Sequence, residues 1–258
     1  DDGRVTLIDM DNRALLQSIE TGAGHVYAVA FSPDGTVLAT GGDDNRVHLW
    51  DTTTWEAIGD PLEVHTGWVL TLAFNANGLL ASAGVDRTLA FWQVNEDGGT
   101  LIDQVATPHT DWIRDLAFTG DGLFLASASH DGDIRMWSAD SRQQALDPLR
   151  GNTGQVWGVA FQPDSLALTS GTSADKAIQW AIALPARPGR SGEAATGPVT
   201  ALAAAGDVLA VGSGNGKLTL FDASSDDPPN TLQYDLDAHE GEITALTFNP
   251  TGTQMITI

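Results

Sequence analysis

The sequence predicts an all-β repeat fold, on three observations. An apolar segment ending in an aromatic ring recurs every 43 or 44 residues, anchored at Phe31, Phe74, Phe118, Phe161, a degenerate Ala204, and Phe248. Inside each unit the apolar residues alternate with period two, and no helical period competes with them. Turn residues interrupt the pattern at intervals of about 8–12 positions. A repeat of this length is one supersecondary unit that cannot bury its own faces, so units stack until the array closes.

The first full unit gives the order of the elements. In segment 26–31, Val26, Ala28 and Ala30 face one way, and Tyr27, Val29 and Phe31 the other. Ser32-Pro33-Asp34-Gly35 follows as a turn, with Pro supplying a fixed φ and Gly a position that tolerates positive φ. Residues 37–40 form a second strand, an Asp-Asn turn leads to a third at 46–50, and the looser segment 57–64 supplies a fourth. Four strands per unit, joined by short turns, is the pattern of a propeller blade.

Composition narrows the function. There is no cysteine, which removes disulfides, thiolate metal sites and cysteine nucleophiles. No apolar run approaches the roughly 18 residues a membrane helix needs, and no signal-like start is present. The net charge of −22 comes from 34 acidic residues against 12 basic ones. Such a surface repels phosphate backbones and anionic lipid, so nucleic acid and membrane are poor partners and basic proteins or peptides better ones. The acidity reads as a solubility-tuned surface, with a salt-rich habitat as its sharper version. The chain opens on Asp1 in mid-repeat, as expected of a domain from a larger protein. Few lysines and much alanine and glycine suggest a bacterial source, and the expected location is cytoplasmic.

The units resemble the WD-repeat β-propeller family over essentially the whole chain. VYAVAFSPDGTVLATGGDDNRVHLWD from Val26, WVLTLAFNANGLLASAGVDRTLAFW from Trp68 and WIRDLAFTGDGLFLASASHDGDIRMW from Trp112 carry the likeness. The resemblance implies a lock of four side chains in each blade: a His before the first strand, a Ser or Thr on the second, an Asp in the next turn, and a Trp on the third. His65, Ser82, Asp86 and Trp92 match all four, as do His109, Ser127, Asp131 and Trp137. The first unit keeps Thr40, Asp44 and Trp50 but has Gly22 at the His position. The fourth has Asn152 for His, with Asp175 and Trp180 one residue too close together. The fifth has Ala195, Val211, Asn215 and Phe221, so blades four and five are expected to be the softer side.

The last unit stops at Ile258 after two strands, and the first residues supply a turn and a third strand. Joined, they make a composite blade with His239, Thr257 and Asp2 in lock positions and Ile8 in place of Trp. This favours six four-stranded antiparallel blades over seven, since closure by both termini leaves no free sheet edge. The whole chain, 1–258, is then one domain with units near 22–64, 65–108, 109–151, 152–194 and 195–238, and a composite of 239–258 with 1–21.

Residues that could suggest other chemistry have plainer readings. His65, Ser82 and Asp86 look like a catalytic triad, but the trio recurs in the next unit, and a single active site does not require that. Gly212-Ser213-Gly214-Asn215-Gly216 lies between strands, with no helix to aim at a phosphate. Asp43-Asp44-Asn45 and Asp131-Gly132-Asp133 lack calcium-loop spacing, so no metal or cofactor is expected.

The remaining aromatics point to a surface. Transferring the family's offsets, the narrow top carries His25, Tyr27 and Asp43, then Trp68 and Leu70, then Trp112, Arg114 and His130, then Gln155 and Trp157, and Glu242 from the composite unit. Exposed Trp, Tyr and Arg on one face make interaction hot spots. The plainer alternative is that these rings fill the central channel or cap the strands. The expected function is a non-catalytic protein-interaction, sensor or scaffold domain, monomeric on its own, and the resemblance suggests it is one end of a larger signalling, protease or ATPase chain. The alternative is an enzyme or ligand site at the channel mouth.

Overall fold

The computed structural model describes residues 3–9, 14–22, 24–162, 167–174, 177–182, 191–192, 198–205, 208–222, 231–237, 243–249 and 254–257. Every regular element among them is a strand. The first sheet runs Val26–Phe31, Val37–Gly42, Arg46–Asp51 and Leu62–Glu63, each strand antiparallel to its neighbour. The second is Val69–Phe74, Leu79–Gly84, Thr88–Asn95 and Gly98–Ala106. The third holds Ile113–Phe118, Phe124–Ser129 and Ile134–Ser138. The fourth begins at Val156–Phe161 and the fifth at Val199–Ala205. The sixth joins Leu246–Phe248 and Gln254–Thr257 to Arg4–Asp9 and Ala14–Glu20 from the other end of the chain.

The outer strands depart from the regular expectation. Of segment 57–64, only Leu62–Glu63 pairs as a strand, with one isolated bridge from Ala57 to Trp50. In the third sheet the outer run touches its neighbour only at the bridges Ile134–Leu149 and Trp137–Gln144. Pro61 and Pro148 stand in these two runs, and proline has no N–H to give a ladder. The outer strand Gly98–Ala106 contains no proline and extends over nine residues.

Successive first strands lie against one another, and Leu246–Phe248 lies against Val26–Phe31. What allows this approach is a small residue directly after the lock hydroxyl position. A Cβ on Gly41 would fall 2.5 Å from Cγ1 of Val69 in the next sheet. On Gly171 it would meet Cγ1 of Val199 at 2.5 Å, and on Gly212 Cγ2 of Ile243 at 2.8 Å. Ala83 and Ala128 hold the same place, clustered with Ile113 and Val156. All five β-branched residues so received are fully or almost fully buried. The first five of these units therefore each lock onto the next through one socket, filled at the density of a core.

Two sheets carry the complete four-residue lock. In the second sheet His65 Nδ1 donates to the Asp86 carboxylate at 3.0 Å, Ser82 Oγ lies 2.8 Å from His65 Nε2, and the Trp92 indole N–H donates to Ser82 Oγ at 2.9 Å. The third sheet repeats this with His109, Asp131, Ser127 and Trp137. Each Asp also accepts from the loop ahead of the first strand, through Thr66 N and Thr110 N. Burial pushes both carboxyls up, but the His and backbone N–H groups outweigh it and hold each below the usual range.

The first sheet solves the missing His differently. Trp50 Nε1 donates to Thr40 Oγ1 at 3.0 Å as expected, but Asp44 is met at 2.7 Å by Nε2 of His48, from the third strand. In the fourth sheet Ser170 Oγ takes the Trp180 indole N–H and donates to Asn152 Oδ1. Asn152 Nδ2 then donates to Gly132 O in the preceding sheet. In the fifth, Ser213 donates to Asn215 instead of completing a relay. Thr257 lies in the sixth sheet opposite Leu246. His239, Asp2, Asp175 and Ala195, and all of the Pro-rich segment 184–198 except 191–192 and 198, lie outside the described residues.

Two measurements check this account. Gly41→Ala should cost about 1–3 kcal/mol through overpacking. Adding Val69→Ala should recover part of that loss, so that the double variant melts above the sum of the two single losses. Asp86→Ala should cost about 2–4 kcal/mol by stranding a buried imidazole and hydroxyl, and Asp44→Ala less, because its pair with His48 is partly solvated. Because Asp86 and Asp131 titrate lower folded than unfolded, their contribution is present above about pH 4 and is lost as pH falls below it. Acid denaturation of Asp86→Ala should accordingly be less steep than that of the parent.

Candidate functional site

The first strands carry a β-bulge at one fixed place. Strand pairing steps from Val26 to Ala28, Val69 to Thr71, Ile113 to Asp115, Val156 to Gly158 and Val199 to Ala201. The skipped residues are Tyr27, Leu70, Arg114, Trp157 and Thr200. A bulge leaves its extra residue out of the ladder and re-aims its side chain. Tyr27, Arg114 and Trp157 are thereby presented at the narrow end of the space the first strands enclose. The wide end of that space is a cavity of about 640 Å³ walled in part by Phe31, Phe74, Phe118, Phe161 and Phe248.

Two aromatic stacks cross the narrow end. In one, His25 lies over Tyr27 with ring centroids 6.2 Å apart, and Tyr27 over Trp68 at 5.5 Å. Asp43 steadies the first ring, accepting from His25 N at 3.1 Å and pairing with His25 Nδ1 at 2.8 Å. In the other, Trp112 stacks on His130 at 5.5 Å, His130 meets Trp157 at 4.8 Å, and the Arg114 guanidinium lies 5.0 Å over Trp157. That cation is held by the negative face of the indole.

Charge is distributed unevenly over this surface. Burial raises the Tyr27 phenol, Asp43 adds to the effect, and Arg114 opposes it. Burial lowers the His130 imidazole, and Arg114 lowers it further against the pull of Asp111. His130 Nε2 and Trp157 Nε1 are buried and have no hydrogen-bond partner among the described residues. Unpaired buried polar atoms are uncommon and call for an explanation.

Trp68 is 44% exposed and Trp112 41%, so neither ring is enclosed in the channel. Leu70 departs from its expected place on the face. At 4% exposure it lines a small space in the channel together with Arg114 and Trp157 and offers no surface of its own. Gln155 is half-buried, and its backbone is tied to Ser173 in both directions. Glu242 lies outside the described residues.

Sequence reasoning missed Asp115, one residue beyond Arg114. Its signal was available, because the matching places hold Ala28, Thr71, Gly158, Ala201 and Ala245. A carboxyl is out of character in that series.

Comparison with known proteins places this geometry. A family model described as "WD domain, G-beta repeat" matches residues 16–51, 58–93, 102–138, 143–180 and 230–257. The chain is 30% identical over 192 residues to "Cell division cycle 20.1, cofactor of APC complex" of Arabidopsis thaliana, covering 68% of this chain and 40% of that protein. It is 39% identical over 92 residues to "Periodic tryptophan protein 2 homolog" of Schizosaccharomyces pombe, covering 34% of this chain and 11% of that one. The solved "Structure of U3-55K" superposes with a TM-score of 0.76 at 20% identity, over 99% of this chain and 89% of that chain, which shows the shared fold. The chain spans about two-fifths of the length of the first of these relatives. The two named organisms are eukaryotes and lend no support to the bacterial source suggested by composition. With repeats matched across most of its length, the chain belongs to the WD-domain, G-beta repeat family of β-propeller proteins.

Proposed function

We propose that this domain is a non-catalytic interaction scaffold that binds a partner protein or peptide through the aromatic narrow end. The exposure of Trp68 and Trp112 at the head of the two stacks carries the reading. Rigid aromatic rings lose little side-chain entropy when a partner docks, and a protein surface can desolvate them fully. The chain's net charge of −22 favours partners with basic surfaces and makes association faster at low salt.

The relatives support the class of function. One of them is named as a cofactor of the APC complex. The lock trios give no support to catalysis, because each serine hydroxyl is fully buried and already engaged by an indole and an imidazole.

The scaffold itself is a closed ring of six blades in a single domain, monomeric when isolated. The sixth sheet, drawn from both ends of the chain, and the contact between its first strand and Val26–Phe31 support closure. Removing residues 1–20 would strip two strands from that sheet and bare an edge. The truncated chain should melt far lower or aggregate, and an unchanged monomeric melt would show that the ring closes otherwise.

The binding face is tested with Trp68→Ala combined with Trp112→Ala. Both rings are exposed, so the double variant should melt within about 1 kcal/mol of the parent. Peptides selected on the parent from a random display library should lose at least tenfold in affinity for it. Peptides that bind parent and variant equally would move the interaction off this face.

A further inference from the structure

Asp115 lies under the proposed face and belongs to no lock. Its carboxylate accepts from three directions: Val159 N of the fourth sheet at 2.8 Å, Leu116 N of its own strand at 2.9 Å, and Thr71 Oγ1 of the second sheet at 3.3 Å. One side chain therefore ties three consecutive sheets together. It is surrounded by protein but keeps part of its surface on the channel, in a space of about 30 Å³ shared with Leu70, Arg114, Trp157, Thr200 and Thr244. A space that size holds about one water molecule.

The bonds of Asp115 lead straight into the aromatic face. The backbone group it holds in the fourth sheet belongs to Val159, two residues beyond Trp157, and Arg114 is its own neighbour. Those two residues make the cation–π contact beside His130. We infer that Asp115 is the positioning residue of this face, and that gain or loss of its proton shifts Arg114 and Trp157 relative to one another. The inference rests on the proposed binding face only for its biological use, because the shift itself belongs to the free protein.

The chemistry supports two states. Thr71 Oγ1 can donate to the carboxylate or accept from the carboxylic acid, so the contact survives protonation. The ionised form draws on Arg114, the one charged group facing it among the described residues. The neighbouring strands present Thr71, Val159, Ala28, Thr200, Ala201, Thr244 and Ala245 there, none of which titrates. Burial is the largest influence and pushes the group from 3.8 up to about 7, against its three hydrogen bonds and Arg114. Because the folded pKa is raised, the stabilisation from the neutral form is complete below about pH 4 and is lost as pH rises through about 7.

The test follows the free protein by NMR from pH 4 to 9, observing the Asp115 side-chain carboxyl carbon and the Trp157 indole N–H together. Both should move in one step with a midpoint near neutrality, about three pH units above an ordinary Asp. The indole step should persist in His130→Gln, which removes the nearest other titrating ring, and should vanish in Asp115→Asn. A carboxyl midpoint near 4 would overturn the inference, as would an indole step that survives Asp115→Asn or disappears in His130→Gln. Should Asp115→Asn not fold, the parent carboxyl titration and His130→Gln still decide. Failure of peptides to bind the face would leave this outcome untouched, so the two readings fail separately.

Discussion

The architecture depends on how closely one sheet can approach the next. Five of the six sheets offer a glycine or alanine, and the following sheet fills the place with a buried Val or Ile. At Gly41, Gly171 and Gly212 even a methyl group would collide with its neighbour, so the spacing is set by the backbone itself. A face packed this tightly leaves the first strands little freedom to slide. That stiffness is why a bulge at one place in each strand can put side chains from different units on a common surface.

The polar locks are more tolerant than this packing. The constant part is short: an indole N–H on a hydroxyl, seen at Thr40, Ser82, Ser127 and Ser170. Around it the remaining partners vary, with a loop His in two sheets, a strand His in one and an Asn in another. Each arrangement satisfies the same requirement, that a buried hydroxyl and its neighbours find partners. The fifth sheet gives up the indole and the hydroxyl together, placing Val211 where the others have Ser or Thr, so no orphan is created. Removing both members of a buried pair costs less than removing one.

Most of the fold was legible because period-two alternation and turn chemistry are local, and the repeat length multiplies each weak signal. The two complete locks were readable residue by residue. The outer strands were not, since Pro61 and Pro148 were present in the text but their effect depends on which edge they meet. His48 was hidden because its partner sits four residues away across a turn, while the family pattern directs attention to the loop before the strand. The aromatic face was half legible. Offsets brought His25, Tyr27 and Trp68 together and Trp112, His130 and Trp157 together, yet Leu70 occupies an equivalent place and is buried. Spacing specifies the position of a bulge but not how deeply the side chain there is buried.

The first sheet divides a labour that the next two sheets assign to one residue. Asp86 and Asp131 each hold the internal imidazole and the approaching loop. In the first sheet Asp44 holds the imidazole of His48 while Asp43 holds His25 on the face. The two duties are adjacent in sequence but independent in space. Under mutation, then, this unit is modular: Asp43 and its loop can be exchanged for new surface chemistry without opening the interior. The second and third units have no such latitude, because there one carboxylate serves both the interior and the loop.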